Sequence, residues 1–257
     1  MDRDEAERVV CSDGWLAEQP SAFRRRLLAR ARLRTFAPGD YAFHLADPLG
    51  GIFGVVDGAF GVFLDGDAPY APLVHIVHAG AWFGHRPLLA RRPRIMAFCA
   101  REPTVAWQVP LAVLDELTAT DPDDLRRLAS LSEFNWGIAT RTVADLLIRR
   151  ADRRIAAVLL RVAGLVPETP APATGPVRVS QAELAEMANA SRDLVNRTLG
   201  RFAHAGWITV GYQQVHVRDA RALHDFAYQG EPVETVTVAR CPTTAADGRH
   251  VRTSAHP

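Results

Sequence analysis

Four prolines within ten residues, in the stretch Pro167-Glu168-Thr169-Pro170-Ala171-Pro172-Ala173-Thr174-Gly175-Pro176, constrain this chain more than any other feature. Proline lacks the N–H that helices and sheets need and disfavours the helical conformation in the residue before it, so no regular element crosses this stretch. It marks a boundary, and a second, small domain begins after it.

Composition narrows the class on both sides of that boundary. Of 257 residues, 48% are hydrophobic, enough to bury sizeable cores. The start, Met1-Asp2-Arg3-Asp4-Glu5, is acidic, and no later stretch approaches the roughly 20 apolar residues of a membrane span. A soluble cytoplasmic protein with no membrane partner is expected. Cys11, Cys99 and Cys241 lie far apart and are odd in number, which indicates neither a disulfide framework nor a cysteine metal cluster. The net charge of +1 provides no overall basic field, so any contact with nucleic acid must come from a local surface.

Along the chain the texture changes three times. Residues 5 to 31 read as helical, with Phe23, Leu27 and Leu28 inward and Arg24, Arg25, Arg26 and Arg30 outward. From Leu33 to Pro110, short apolar runs such as Gly51 to Val56, Phe60 to Leu64 and Val74 to Val77 alternate with turn signals such as Asp57-Gly58 and Asp65-Gly66-Asp67. That pattern predicts a β-sandwich or barrel. Helical period returns after Pro110. Asp121 suits an N-cap, Pro122 the first helical position, and Asp123 and Asp124 the positive end of the helix dipole. Leu128, Leu131, Asn135, Ile138 and Thr142 then recur at steps of three and four. This seam suits lengthwise pairing of two helices, hence a homodimer; packing on the chain's own β domain is the other reading. A further helix around Asp152 to Ala163, with Ile155, Val158, Leu159 and Val162 on one face, ends near Gly164.

Beyond the prolines, Ser180-Gln181-Ala182-Glu183 has the form of a capping box, followed by an apolar stripe of Leu184, Met187 and Ala188. Asn189 tolerates left-handed backbone and Ser191 can cap a second helix, predicting helix, tight turn, helix. At 100° per residue, Val195, Leu199 and Phe202 share one side of that second helix, opposite Arg192, Asp193, Asn196 and Arg197. Trp207 to Val210, a turn at Gly211 to Gln214, and Val215 to Val217 make a hairpin small enough for a wing. The polar quartet occupies the N-terminal half of the second helix, where helix-turn-helix proteins place base-contacting residues. An arginine fork matches the two acceptors of guanine, a carboxylate accepts from the cytosine amino group, and asparagine can read adenine. Ser180, Gln181 and Ser191 are the candidates for phosphate contacts, which set register but carry no sequence information.

The order β-barrel, long helix, helix-turn-helix and wing resembles the Crp/Fnr family of bacterial transcription regulators, from about Leu33 to Tyr228. The segment "SQAELAEMANASRDLVNRTLGRFAHAGWI" (180 to 208) is similar to the family's DNA-binding signature nearly throughout. Members that resemble the cAMP receptor protein read bases with an arginine, an acid and a second arginine, which fall on Arg192, Asp193 and Arg197; the acid here is Asp in place of the commoner Glu. The segments "FAPGD" (36 to 40) and "AGAWFGHRPLLARRPRIMAFCAREPTVAWQVP" (79 to 110) resemble the family's β-roll and phosphate-binding segment. Nucleotide-binding members carry Gly-Glu-Leu and later Arg-Ser there, where this chain has Gly84-His85-Arg86 and Arg94-Ile95. Their adenine-contacting Thr-Ser falls on Ala139-Thr140. The resemblance thus implies an effector site at Gly84, His85, Arg94, Ile95 and Thr140. The missing ribose acceptor and serine hydroxyl argue against cAMP in the family's manner.

The expected fold is α+β: an N-terminal antiparallel β-roll or jelly roll (1–120), a long dimerisation helix and a following helix (121–164), a C-terminal winged helix-turn-helix (165–228) and a tail (229–257). The expected function is that of a homodimeric, sequence-specific regulator bound to an inverted-repeat operator on double-stranded DNA. RNA polymerase is a further candidate partner. The β-roll either senses an unidentified small effector or has become a fixed scaffold, and the cofactor is unknown. No iron–sulfur cluster is expected without clustered cysteines, and His75, His78 and His85 are haem ligands by type only. A cupin-like metal enzyme is the competing reading, but the spacing His75 to His78 on a strand sends the rings to opposite faces, with no nearby Glu to complete a ligand set. Neither a metal site nor catalytic residues are assigned. A protein-interaction module that uses the winged helix is the third reading. The tail, with Val233 to Val238, could add one strand.

Overall fold

The chain opens with two helices, α1 (Arg3–Ser12) and α2 (Ser21–Ala29). The Asp2 carboxylate caps α1 by accepting from the Glu5 amide at 2.8 Å. The computed structural model describes residues 1–48, 50–64, 71–166 and 176–228. The Asp65-Gly66-Asp67 turn, the proline-rich boundary at 167–175 and the tail after Tyr228, including Val233 to Val238, lie outside the described residues.

Eight short strands follow: β1 (Arg32–Phe36), β2 (Tyr41–Phe43), β3 (Ile52–Asp57), β4 (Ala59–Leu64), β5 (Leu73–His78), β6 (Trp82–Phe83), then a helical turn α3 (Arg86–Ala90), and β7 (Met96–Ala100) and β8 (Thr104–Val109). Their antiparallel pairing makes two four-stranded sheets, β1-β8-β3-β6 and β2-β7-β4-β5. The β3–β4 turn needs Gly58, whose φ is +80°, and a Cβ there would lie 2.6 Å from the Pro103 carbonyl oxygen. Between the sheets an aromatic cluster fills the interior. Phe83 and Phe98 stack with centroids 3.9 Å apart, and Phe43, Phe53 and Phe60 pack around them.

Three helices come next: α4 (Leu111–Thr120), α5 (Pro122–Leu147) and α6 (Ala151–Val162). Asp121 caps α5 by accepting from the Asp123 amide at 3.0 Å, with Pro122 at its first position. The 26 residues of α5 run about 39 Å. Its predicted seam turns inward. Leu128 and Leu131 are fully buried in a core with Trp15, Phe23, Trp82 and Trp107, and the Asn135 amide donates to the Trp82 carbonyl at 3.2 Å. Of the two sequence readings of this seam, packing on the chain's own β domain is therefore the one that forms, because the N-terminal helices and β6 supply apolar partners. The outward face of α5 instead exposes Leu125, Trp136 (66%), Val143, Leu146 and Leu147 (75%).

The remaining elements are β9 (Val177–Arg178), α7 (Gln181–Met187), α8 (Arg192–His204), β10 (Ile208–Gly211), β11 (Gln214–Val217) and α9 (Ala220–Tyr228). Strands pair as β10-β11-β9, with Ile208 opposite Val217. Helix α6 buries Ile155, Val158, Leu159 and Val162 with Leu184, Val195, Leu199, Phe202 and Leu223, and Leu73 and Ile76 of β5 belong to the same core. A buried polar node sits at this junction. Arg161 of α6 donates to Asp145 of α5 at 2.9 Å, to the Val74 carbonyl at 3.1 Å and to His75 Nδ1 at 3.0 Å, while the Tyr228 hydroxyl donates to Asp145 at 3.0 Å. Arginine can only donate, so His75 Nδ1 is unprotonated. Val162 O can only accept, so His78 Nε2, 3.0 Å away, carries its proton. Burial pushes both imidazoles below their ordinary range, His78 to about 4.

Candidate nucleic-acid interface

The helix-turn-helix is built by local caps. Ser180 Oγ accepts from the Glu183 amide at 3.2 Å and Glu183 Oε2 accepts from the Ser180 amide at 2.8 Å, closing the capping box that starts α7. Asn189 takes φ +45°, bending the chain between the helices. Ser191 Oγ accepts from the Leu194 amide at 3.3 Å and starts α8. Used as caps, both serines act as acceptors, so each hydroxyl proton stays available to a phosphate oxygen.

On α8, Val195, Thr198, Leu199 and Phe202 are buried, with Phe202 against Trp207 and Phe226. Arg192, Asp193, Asn196 and Arg197 are exposed along the opposite side. Among the described residues, Arg192, Asp193 and Arg197 form no hydrogen bond or ion pair within the chain, whereas the Asn196 Oδ1 accepts from Gln181 Nε2 at 3.3 Å. One face of the helix is thus sealed by packing while the other presents charge without internal partners. Behind α8, Asp152 of α6 binds Arg201 at 3.0 Å and Arg150 at 2.8 Å, which anchors the helix flank.

Sequence reasoning missed Arg154. From α6 its guanidinium donates to Ala188 O at 2.8 Å and Asn189 O at 3.0 Å in the turn between α7 and α8, and to Ile148 O at 2.8 Å just past α5. It therefore ties the end of the long helix to the turn between α7 and α8. The carbonyls it meets lie 34 and 35 positions further along the chain, a separation that no local pattern signals. Helix α9 and strand β9 also lay outside the predicted elements.

The effector set is assembled only in part. Arg94 is buried, donating through Nη1 to Gly84 O and through Nη2 to Gly51 O at 2.8 Å, with its guanidinium carbon 3.9 Å from the Phe43 ring centroid. The sequence leaves this side chain available to an anion; in the fold each terminal nitrogen donates to one backbone carbonyl, while the buried Nε has no partner among the described residues. Burial lowers its pKa to about 10. His85 lies beside it with its Nδ1 3.4 Å from Asn135 Nδ2, and burial, with the Arg94 charge, lowers its pKa to about 4. Ile95 is exposed, and the Thr140 hydroxyl turns back to the Trp136 and Gly137 carbonyls of its own helix. His75 and His78, the pair weighed as metal ligands, are each bonded to protein groups on α6.

Comparison with known proteins agrees with this layout. Residues 33–121 match the cyclic nucleotide-binding domain, and residues 153–226 match the Crp-like helix-turn-helix domain. The transcriptional regulator Cmr of Mycobacterium tuberculosis is 26% identical over 192 residues, 75% of each chain. The transcriptional regulator SdrP of Thermus thermophilus is 28% identical over 158 residues, 60% of this chain and 72% of its own. Among solved structures, FixK2 of Bradyrhizobium japonicum superposes with a TM-score of 0.61 at 18% identity, covering 78% of this chain and 99% of its own. A CRP-family transcriptional regulator of Thermus thermophilus superposes with a TM-score of 0.59 at 20% identity, covering 76% and 96%. At these identities the structural likeness is one of fold.

Proposed function

Because this chain belongs to the Crp/Fnr family of DNA-binding transcription regulators, we propose that it acts as a cytoplasmic homodimer which reads an inverted-repeat operator through α8. The observation that carries this reading is the exposed arc of Arg192, Asp193 and Arg197, without hydrogen-bond or ion-pair partners among the described residues, opposite a packed face. Arg192 and Arg197 offer forks to guanine N7 and O6, and Asp193 an acceptor to the cytosine amino group. Ser180 and Ser191 offer hydroxyl protons to flanking phosphates.

The pairing surface is the outward face of α5. Leu125, Ala129, Ser132, Trp136, Ala139, Val143 and Leu146 follow one another at alternating steps of four and three, the repeat that lets two helices pack lengthwise. Four of these side chains are large hydrophobics left exposed in a single chain. A two-fold axis along this face would present two copies of α8 to successive major grooves about 34 Å apart.

The β-roll acts in this reading as a scaffold instead of a cAMP sensor, since Arg94 is held by Gly84 and Gly51 and aromatic rings fill the space between the sheets. Millimolar cAMP or cGMP then leaves both the melting temperature and operator affinity unchanged, whereas a ligand of the native state would raise the former.

Selection of bound genomic fragments tests the whole reading. An inverted repeat with half-sites one helical turn apart is expected, and Trp136→Asp should sediment as a folded monomer that has lost it. A Trp136→Asp protein that stays dimeric would remove α5 as the pairing surface.

A further inference from the structure

We infer that Gln181 determines which bases Asn196 accepts, by fixing the orientation of its carboxamide. This rests on the reading of α8 proposed above and on the base contact expected of Asn196 from the sequence. Gln181 is the first residue of α7 and Asn196 stands in the second turn of α8, so the 3.3 Å bond from Gln181 Nε2 to Asn196 Oδ1 spans the two helices at their exposed edge.

An asparagine side chain has one acceptor end and one donor end. Adenine is read in the major groove by using both, the oxygen on N6–H and the nitrogen on N7. Here the oxygen is turned towards Gln181, so the end presented outward is the Nδ2 amide with its two protons. Guanine, with N7 and O6, and thymine, with O4, show acceptors to such a donor; adenine sets an amino donor beside its N7 acceptor, which repels the amide protons, and cytosine shows the amino group alone. The donor end thus favours guanine or thymine over adenine and cytosine at the position it meets. Gln181 is a positioning residue in this scheme: it touches Asn196, and Asn196 touches the base. Its second Nε2 proton stays free for a phosphate, which would lock the first helix, the reading side chain and the DNA backbone into one register.

Reversing the polarity of the buttress provides the test. In Gln181→Glu the carboxylate can only accept, so Asn196 must turn its Nδ2 towards it and its Oδ1 outward. Fragment selection with the full-length dimer would compare wild type, Gln181→Glu, Gln181→Ala and Asn196→Ala, with thermal unfolding as the control for folding. Asn196→Ala should flatten preference at one position per half-site. Gln181→Glu should move preference at that same position from guanine or thymine to adenine or cytosine by at least about fivefold, the low end of a base contact. Gln181→Ala should broaden it to admit adenine. Added negative charge near phosphates also weakens every sequence, but evenly, so the shift at one position is the readout. If Asn196→Ala flattens a position that Gln181→Glu and Gln181→Ala leave unchanged, the inference is overturned and the base-reading role stands. If Asn196→Ala flattens no position, both fall.

Discussion

Arg94 and Arg197 carry the same side chain to opposite ends. Arg94 lies under the β-roll surface, its fork held by two carbonyls and its face against Phe43. Arg197 projects from α8 with no hydrogen bond or ion pair among the described residues. A guanidinium that folding buries and ties to backbone carbonyls, even with its Nε left unpartnered, is part of the architecture. One that folding leaves exposed on an otherwise sealed helix is available to something else, and here the helix lies in the segment that matches a Crp-like helix-turn-helix domain.

The largest effect is expected where a buried arginine loses its counter-charge. Asp145→Ala leaves Arg161 buried beside Val74 O and His75, and should lower the unfolding free energy by about 3–5 kcal/mol in urea titration. A loss below about 1 kcal/mol would mean that burial does not define the architectural class of arginine. Next in size, Arg94→Ala should lose about 1.5–3 kcal/mol of stability while operator base preferences stay as they are. Arg197→Ala should do the reverse. Its stability should stay within about 0.5 kcal/mol of wild type, with discrimination at one base pair reduced by about 1–3 kcal/mol. Equal weakening on all sequences would make Arg197 a phosphate contact and blur the comparison.

The smallest effect at neutral pH belongs to the buried imidazoles. In the unfolded chain His78 titrates near 6.5 and in the folded protein near 4, so over that window the unfolded state takes up a proton the folded state refuses. Stability is therefore complete above about 6.5 and declines as pH falls towards 4, with His75 and His85 acting in the same direction. His78→Gln, which can still donate to Val162 O, should flatten part of that decline in denaturant titrations at several pH values. An unchanged slope would exclude His78 as its source.

Much of the helix-turn-helix was legible in sequence because its determinants are local. The capping box at Ser180, the left-handed Asn189 and the Ser191 cap act within four residues of themselves. The apolar stripe of Val195, Leu199 and Phe202 named the buried face of α8 by period alone. The seam of α5 was legible as a seam but not as an interface. Leu128 and Leu131 repeat as a pairing helix would, yet they share a core with Trp15 from the α1–α2 connection and Phe23 of α2. The face bearing Trp136, diluted by Ala129, Ser132 and Ala139, was the one left outside.

By itself the sequence determined the class of the elements, the polar arc of α8 and the family they belong to, since caps, turns and periodicity are properties of neighbouring residues. Only tertiary structure decided which apolar stripe would be covered, that Arg94 would be tied to Gly84 and Gly51, and that Arg154, Arg161 and Gln181 would connect elements. Those outcomes depend on which groups from distant parts of the chain arrive within hydrogen-bonding or van der Waals reach, and a buried charge or an apolar stripe accepts whichever partner the fold delivers.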